Sequence, residues 1–215
     1  MVISRRSLLV AGAAFPVSAY GQCVTDAPEE ARTNLIVQST VGVAPWGGFG
    51  TGAAAPVATA NNTTAPDGTT TGTRLVYPAV TGAGANSGWF LSTTASAVPY
   101  ACSVYLKGAV GGEQIYLGVE PGGAPWHTSP RLTLTTQWQR FSFVTPALTT
   151  GSWAFVIGTD LRDVAQTSTP AETVYAWGAQ FEAGGFATSY IPTTTVAVTR
   201  AVGPAIMSPT QKCRR

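Results

Sequence analysis

The chain has 215 residues, a length that accommodates one β-sandwich of ordinary size and leaves little room for a second domain. Only 10% of the residues are charged and 45% are hydrophobic, a balance that excludes a disordered polyelectrolyte. The formal charge is +2, and 8 Phe, 7 Tyr and 6 Trp supply enough rings for a core. Because β-branched and aromatic side chains pack well on a pleated sheet, and amphipathic helical runs are nearly absent, the composition predicts an all-β protein.

The charged residues are unevenly distributed along the chain. Of the twelve Lys and Arg residues, seven lie within the first 32 residues or after residue 199. Between residues 33 and 199, five basic residues stand against seven acidic ones, so this central part has a formal charge of −2. A nucleic-acid site needs a basic stripe that neutralises phosphates, and the sequence shows none. We therefore predict that the protein has no nucleic-acid partner.

Residues 1–31 are predicted to form a short N-terminal arm or signal-like segment followed by a linker. Residues 4–19 combine two arginines, a short apolar run and small residues, a pattern typical of a twin-arginine export signal. The same pattern fits an apolar arm that packs against a partner protein, and the sequence leaves both interpretations open. The run is too short to cross a bilayer, so we predict no membrane span. Residues 22–31 have the Pro and Glu content of a polar linker, and residues 204–215 form a basic C-terminal tail.

Between residues 32 and 203, strand-like runs alternate with turns rich in Gly, Pro, Asn and Asp, as in a β-sandwich. In residues 100–107 a period of two places Cys102, Val104 and Leu106 on one face of a strand. The opposite face takes the residues between them: Ala101, Ser103 and Tyr105. Strands do not alternate with helices, which argues against a parallel α/β fold. The predicted strands are 34–39, 57–60, 73–77, 88–92, 100–107, 114–119, 131–134, 139–145, 152–158, 174–181 and 196–199.

The sequence contains no recognisable pattern of catalytic residues. The cysteines Cys23, Cys102 and Cys213 form neither a metal motif nor a dense disulfide framework, and whether Cys23 and Cys213 pair stays open. Cys102 lies in an apolar strand and is predicted to be a buried free thiol. Glu113 and Glu120 flank a strand and are predicted to face solvent rather than to line a catalytic cleft. We predict no catalytic residue, no metal, no cofactor and no enzymatic activity.

Two loop tryptophans and the single histidine are the candidate binding residues. Trp46 follows Pro45 and precedes two glycines, and Trp126 follows a proline and precedes His127. A ring held open by such neighbours can stack on the apolar face of a sugar, while a nearby His bonds the hydroxyls. We therefore predict carbohydrate binding by Trp46, Trp126 and His127, the alternative being that these rings pack in a core or an interface. The remaining tryptophans lie in strand-like runs and are predicted to be core residues: Trp89, Trp138, Trp153 and Trp177.

Four motifs mark the start and the end of the predicted sandwich: Arg32-Thr33-Asn34-Leu35, Trp177-Gly178-Ala179-Gln180-Phe181-Glu182, Tyr190-Ile191-Pro192-Thr193 and Thr199-Arg200-Ala201. Together they resemble the concanavalin-type, carbohydrate-binding-module-like jelly rolls of tail, fibre and head-fibre proteins from tailed phages and prophages. The resemblance covers about residues 32–203. It implies an antiparallel jelly-roll β-sandwich of two sheets, but it does not imply one particular ligand.

The resemblance also implies a structural virion protein, namely a fibre, spike or decoration protein of a phage or phage-like particle. We expect the jelly roll to bind host-surface glycans, residues 1–31 to contact other virion proteins, and the protein to form a homo-oligomer. The alternative expectation is an exported bacterial lectin-like protein, secreted or periplasmic after cleavage of a twin-arginine signal. Related jelly rolls often hold a structural calcium. Here only Glu172 and Glu182 lie near the last strands, too few ligands for that ion, and we predict none.

Overall fold

The computed structural model describes residues 30–121, 126–160 and 168–202. The regular elements in these ranges are β-strands, and no helix long and apolar enough to cross a membrane occurs among them. The predicted all-β class is confirmed. Numbered in chain order, the strands are β1 (Arg32–Asn34), β2 (Gly47–Thr51), β3 (Val57–Thr63), β4 (Gly72–Tyr77), β5 (Val80–Thr81), β6 (Asn86–Ala95), β7 (Tyr100–Gly108), β8 (Gln114–Glu120), β9 (His127–Thr128), β10 (Leu132–Thr133), β11 (Gln139–Val144), β12 (Gly151–Asp160), β13 (Ser168–Thr169), β14 (Glu172–Ala183) and β15 (Val198–Arg200).

Two antiparallel sheets form the sandwich. Sheet I has the strand order β10-β8-β12-β6-β2, and β9 also pairs with β8. Sheet II has the order β11-β7-β14-β4-β3. Strands β1 and β15 form a separate two-stranded ribbon, as do β5 and β13. This arrangement is the predicted antiparallel jelly-roll β-sandwich. The predicted arm, residues 1–31, and the tail, residues 204–215, lie outside the described residues except for residues 30 and 31.

The core lies between the two sheets. It is filled by inward-facing side chains, which come from every second residue of the strands. Cys102, Val104 and Leu106 of β7 are fully buried, as their alternation predicts. The Tyr77 hydroxyl of sheet II donates to the Ile157 carbonyl of sheet I at 2.7 Å, which ties the two layers together. Burial raises the pKa of the Cys102 thiol well above its ordinary value, so the predicted buried free thiol is confirmed.

Four strands were not predicted from the sequence, and several predicted strands differ from the observed ones at their ends. Strand β2 has the sequence Gly-Gly-Phe-Gly-Thr, in which three of five residues are glycine, a residue depleted in strands. Strands β5, β9 and β13 have two residues each, too few for a visible period. The predicted strand 34–39 ends at Asn34, because the next backbone N–H, that of Leu35, bonds to the Phe181 carbonyl of β14.

Asn34 holds the start of the domain to its end. The side chain is fully buried, and its Nδ2 donates to the carbonyls of Ala179 at 3.1 Å and Ile191 at 2.9 Å. Its Oδ1 accepts from the backbone N–H groups of Ile36 and Phe181, both at 3.1 Å. One amide thereby satisfies four backbone groups that come from three separate segments. Within the motif Arg32-Thr33-Asn34-Leu35, Asn34 is therefore the residue that fixes the start of the domain to its end.

The motif at the end of the domain, residues 177–182, also bonds buried groups through its side chains. The Gln180 side chain is fully buried, and its Oε1 accepts from the Ile191 N–H at 2.6 Å. The Glu182 carboxylate is also fully buried and accepts from Thr188, through the backbone N–H at 3.0 Å and the hydroxyl at 2.5 Å. Both carboxylate oxygens of Glu182 therefore already accept hydrogen bonds from the protein. Within the described residues, no group of three His, Cys, Asp or Glu side chains is placed to hold a metal ion.

The prediction that Glu113 faces solvent is wrong. Its side chain is only 4% exposed, and its two carboxylate oxygens accept from the N–H groups of Val110 at 2.7 Å and Gly111 at 2.9 Å. In the turn after β7 these two N–H groups have no hydrogen-bond partner in a sheet, and the Glu113 carboxylate provides an acceptor for each of them. The carboxylate packs directly on Gly108, where an added methyl group would come within 1.8 Å of Oε2.

We predict that Gly108→Ala destabilises the protein by about 1–3 kcal/mol, because the methyl group displaces the Glu113 carboxylate from the turn. Gly185→Ala is the matched control, since nothing lies within 4 Å of the added methyl group there. Urea denaturation followed by Trp fluorescence measures both variants. Equal stability of the two variants would contradict the packing described for Glu113.

Candidate functional site

Trp46 lies in the core rather than in an open loop. Its side chain is 6% exposed, its indole Nε1 donates to the Gln38 carbonyl at 2.6 Å, and its ring meets Phe155 edge to face at 6.3 Å. A ring in this position covers one end of the core and offers no face to a sugar. The prediction of sugar stacking by Trp46 is therefore corrected, and the packing alternative applies to this residue.

Trp126 and His127 do not converge. The Trp126 ring is partly buried on the outer face of sheet I, where it lies 6.4 Å from the Phe49 ring. His127 is the Cα partner of Val119, and its ring stacks on the core residue Trp153 at 5.8 Å. Adjacent residues in extended chain project to opposite sides of a sheet, which separates the two side chains. The structure therefore brings no two of the three predicted site residues together.

The outer face of sheet II carries a row in which cations and aromatic rings alternate. Strand register places Arg74 beside Tyr175, and Tyr175 beside Lys107, across β4, β14 and β7. Trp138 immediately precedes β11 and continues the row beyond Lys107, since its ring lies 5.1 Å from Nζ. A second pair on the same face comes from β7 and β11. We call these six partly buried side chains the aromatic–cationic face: Arg74, Tyr105, Lys107, Trp138, Arg140 and Tyr175.

Cation–π contacts fix the relative positions of these groups. The Lys107 ammonium lies between two rings, 5.1 Å from the Trp138 centroid and 5.0 Å from that of Tyr175. The Arg140 guanidinium carbon lies 5.6 Å from the Tyr105 centroid, and its Nη2 donates to a serine hydroxyl of β7 at 2.9 Å. Such contacts are worth about 0.5–2 kcal/mol each and limit side-chain motion. The face is therefore preorganised.

The face has an uncompensated positive charge. Arg74, Lys107 and Arg140 form no ion pair with a carboxylate in the described part of the chain. Three cations without carboxylate partners attract an anionic group.

Trp177 supports the face from beneath. It is 8% exposed, it meets Tyr105 edge to face at 5.3 Å, and the Tyr190 ring covers it at 4.5 Å. Both Trp177 and Trp138 lie on the outer side of sheet II. The predicted core position is wrong for Trp138, which is partly buried, whereas Trp177 is buried as predicted but lies outside the cluster between the sheets. Trp153, at 3% exposure between the sheets, is a core residue as predicted.

We did not predict from the sequence that three cations lie on one face of a sheet. Arg74, Lys107 and Arg140 are far apart in the chain, so no basic stripe is visible until four strands pair. The period of β7 did contain the signal, because Tyr105 and Lys107 alternate with the core residues and must point outward. Basic and aromatic residues at outward positions of neighbouring strands were the pattern to search for.

Glu172 is a buried carboxylate at the start of β14, away from this face. Burial raises the pKa of Glu172, and the charge of Glu113 raises it further, whereas the hydrogen bond from the Gln114 N–H lowers it. A raised pKa in the folded state favours the neutral form. This group therefore stabilises the fold fully below the pKa of the unfolded chain, and the contribution is lost as pH rises through the folded pKa.

We predict that Glu172→Gln gains stability relative to the unmodified protein as pH rises from about 4 to about 7, because Gln never ionises. Its Oε1 can still accept from the Gln114 N–H. Thermal unfolding at a series of pH values measures the difference between the two proteins. A difference that is constant across this range would contradict the assignment of an unfavourably buried charge.

No family model matches the sequence, and no curated protein matches it either. Among solved structures, the chain is similar to TmCBM61 in complex with β-1,4-galactotriose, at 13% identity over 66% of this chain and 90% of that one, with a TM-score of 0.44. It is similar to a family 11 carbohydrate-binding module from Clostridium thermocellum, at 12% identity over 74% and 99%, with a TM-score of 0.47. It is also similar to the enzymatically active domain of bacteriophage CBA120 tailspike protein 4, at 9% identity over 69% and 21%, with a TM-score of 0.48. Likeness at this level does not identify a ligand.

Proposed function

We propose that the protein is a non-catalytic carbohydrate-binding jelly roll whose aromatic–cationic face binds an acidic saccharide. The observation that carries this proposal is the row of alternating rings and unpaired cations across sheet II. Sugar rings stack their C–H faces on aromatic side chains, and the carboxylates of acidic sugars form strong charge-assisted hydrogen bonds with guanidinium and ammonium groups. Both kinds of contact are available on one rigid sheet surface.

The row is long enough for an oligosaccharide. From Arg74 to Trp138 it crosses β4, β14, β7 and the start of β11, three strand spacings or about 14 Å. A ligand lying along it would meet a cation, a ring, a second cation and a second ring in turn. A saccharide whose acidic groups recur along the chain matches this alternation better than a single charged sugar does.

The test is calorimetric titration with three ligands of similar length. Oligogalacturonate, whose sugars carry carboxylates, is expected to bind, and affinity is expected to fall as salt screens the charges. Cello-oligosaccharide is expected to bind this face more weakly. Single-stranded oligothymidylate is the third ligand, because interleaved rings and cations also suit nucleic acid. Tighter binding of oligothymidylate than of oligogalacturonate would overturn the proposal.

We propose further that the protein does not cleave its ligand. In support, the buried carboxylates Glu113, Glu172 and Glu182 all accept hydrogen bonds from protein donors. Oligogalacturonate recovered after prolonged incubation is expected to have its original mass. Shortened products that appear with the purified protein would show an enzyme instead.

The biological setting that we propose is a phage or phage-like particle, where residues 1–31 attach the protein to other virion proteins and a homo-oligomer displays the sandwich. The motifs at the two ends of the domain support this setting through their resemblance to phage fibre domains. Export after twin-arginine cleavage is the alternative. Intact mass of the protein from its native source separates the two. A mass that includes the N-terminal arm supports attachment, and loss of about twenty residues supports export.

A further inference from the structure

The outer face of sheet I, on the other side of the sandwich, has aromatic rings in close contact with glycines. Gly88 of β6 and Gly118 of β8 both belong to this face. A methyl group added to Gly88 would come within 2.7 Å of the Phe49 ring, and one added to Gly118 within 3.2 Å of the Trp126 ring. Only glycine lets the two rings come so close to the backbone. The sequence thus builds an aromatic surface close to the sheet.

A depression of about 330 Å³ opens beside these rings, a volume at the lower end of the range for small-molecule sites. Phe49 and Phe90 form its apolar wall, with their centroids 5.8 Å apart in an edge-to-face arrangement. Its polar lining consists of the exposed hydroxyls of Ser92 and Ser152 and the carboxylate of Glu120. One apolar wall opposite several hydrogen-bonding groups suits a polyhydroxylated ring.

A smaller notch adjoins the depression on the other side of Phe49. It measures about 10 Å³, room for one water-sized group. Asn86 lines it beside Trp126, and the Asn86 side chain is 6% exposed. Its Nδ2 donates to the Gly84 carbonyl at 3.3 Å, but its Oδ1 has no hydrogen-bond partner among the described residues. Buried acceptors are nearly always satisfied, so this oxygen can accept a hydrogen bond from a donor group that enters the notch.

We propose that this face is a second saccharide site and that it takes an uncharged sugar. The sugar ring lies in the depression against Phe49 and Phe90. Its hydroxyls bond to the two serines and the carboxylate, and one terminal donor group enters the notch to reach Asn86 Oδ1. This inference does not rest on the proposed function, because the two faces lie on different sheets and share no residue.

The charge of the sheet I face is the reason why we propose an uncharged sugar there and an acidic saccharide on sheet II. The depression is lined by the Glu120 carboxylate and by no Lys or Arg side chain, so an acidic sugar would find no cation to pair with there. The cation of this face, Arg131, is engaged at the far edge, where Nε donates to the Tyr116 hydroxyl at 2.9 Å and Nη1 to Gln114 Oε1 at 3.1 Å. The two outer faces of the sandwich therefore differ in charge preference. Sheet II favours acidic sugars and sheet I neutral ones.

The experiment follows the indole N–H signals of the full chain by NMR during titration with cellotriose, maltotriose and triacetylchitotriose. At least one of these neutral sugars is expected to shift the Trp126 signal while the core signals of Trp46 and Trp153 stay in place. Phe90→Ala is expected to weaken that sugar's binding about tenfold or more, because the apolar wall is lost. Tyr175→Ala, on the opposite face, is the control and should leave it unchanged.

Two results would overturn the proposal. One is a Trp126 signal that none of the three sugars moves. The other is a Trp126 signal that moves with protein concentration alone, which would mean that a second copy of the chain covers this face. If Phe90→Ala disturbs the core signals, Ser152→Ala at the exposed rim replaces it as the test variant. Binding of oligogalacturonate is read from Trp138, so failure of one site is distinguishable from failure of the other.

Discussion

Replacing Asn34 by alanine is expected to cause the largest loss of stability of any single polar substitution considered for this protein, about 3–5 kcal/mol. The Asn34 side chain is fully buried and satisfies the carbonyls of Ala179 and Ile191 and the N–H groups of Ile36 and Phe181. Alanine leaves all four without their side-chain partner. Each unsatisfied buried group costs about 1–3 kcal/mol, reduced where water can enter.

The matched control is Gln38→Ala, an amide that bonds to the same closing segment. Its Nε2 donates to the Thr194 carbonyl and its Oε1 accepts from the Thr40 N–H, but these bonds are near the surface. A loss below about 1 kcal/mol is expected, because water can replace the lost partner. Urea denaturation of both variants gives the comparison. If Asn34→Ala costs no more than Gln38→Ala, the amide is not what holds the two ends of the domain together.

Lys107→Gln is expected to have the largest effect on binding, a loss of about tenfold to a hundredfold in affinity for oligogalacturonate. Lys107 occupies the middle of the row, where its ammonium contacts the rings of both Trp138 and Tyr175. A hydrogen bond to a charged group is worth about 1.5–3 kcal/mol, and each 1.4 kcal/mol is tenfold in affinity. Loss of the cation also frees the two rings that it positions.

Arg131→Gln is the control for this variant, since it makes the same change in net charge on the face of sheet I. Its affinity for oligogalacturonate is expected to stay within about twofold of the unmodified protein, because screening weakens long-range charge effects. Calorimetry at one fixed salt concentration measures both. Equal losses for Lys107→Gln and Arg131→Gln would mean that binding responds to total charge and not to a site.

The sandwich could be predicted from the sequence because its signals are local. The period of β7, with Cys102, Val104 and Leu106 inward, is visible in consecutive residues and is what the structure shows. Strand β2 was missed because it is mostly glycine. Its glycines are explained by what packs against them in the fold, the Phe90 ring at Gly47 and the Ala53 and Ala54 backbone at Gly50. These contacts form only when the sheet assembles, so consecutive residues of the sequence do not show them.

The candidate site could not be found by looking for open loops. Trp46 has Pro and Gly neighbours, yet its ring turns inward and closes the end of the core. Trp138 was assigned to the core by its strand-like surroundings, yet it lies on the outer face beside Lys107. Which way a ring points depends on the register of its strand with partners far away in the sequence. Local composition does not contain that register.

The most direct test of the central claim is the response of the tryptophan indole N–H signals to oligogalacturonate. The indole of Trp138 donates to the Thr64 carbonyl, and that of Trp177 to the Thr71 hydroxyl, so both report on the outer side of sheet II. Binding at the aromatic–cationic face is expected to shift these two signals and to leave those of Trp46, Trp153 and Trp126 in place. Saturable binding that moves Trp126 and leaves Trp138 unchanged would contradict the assignment of the acidic-saccharide site to sheet II.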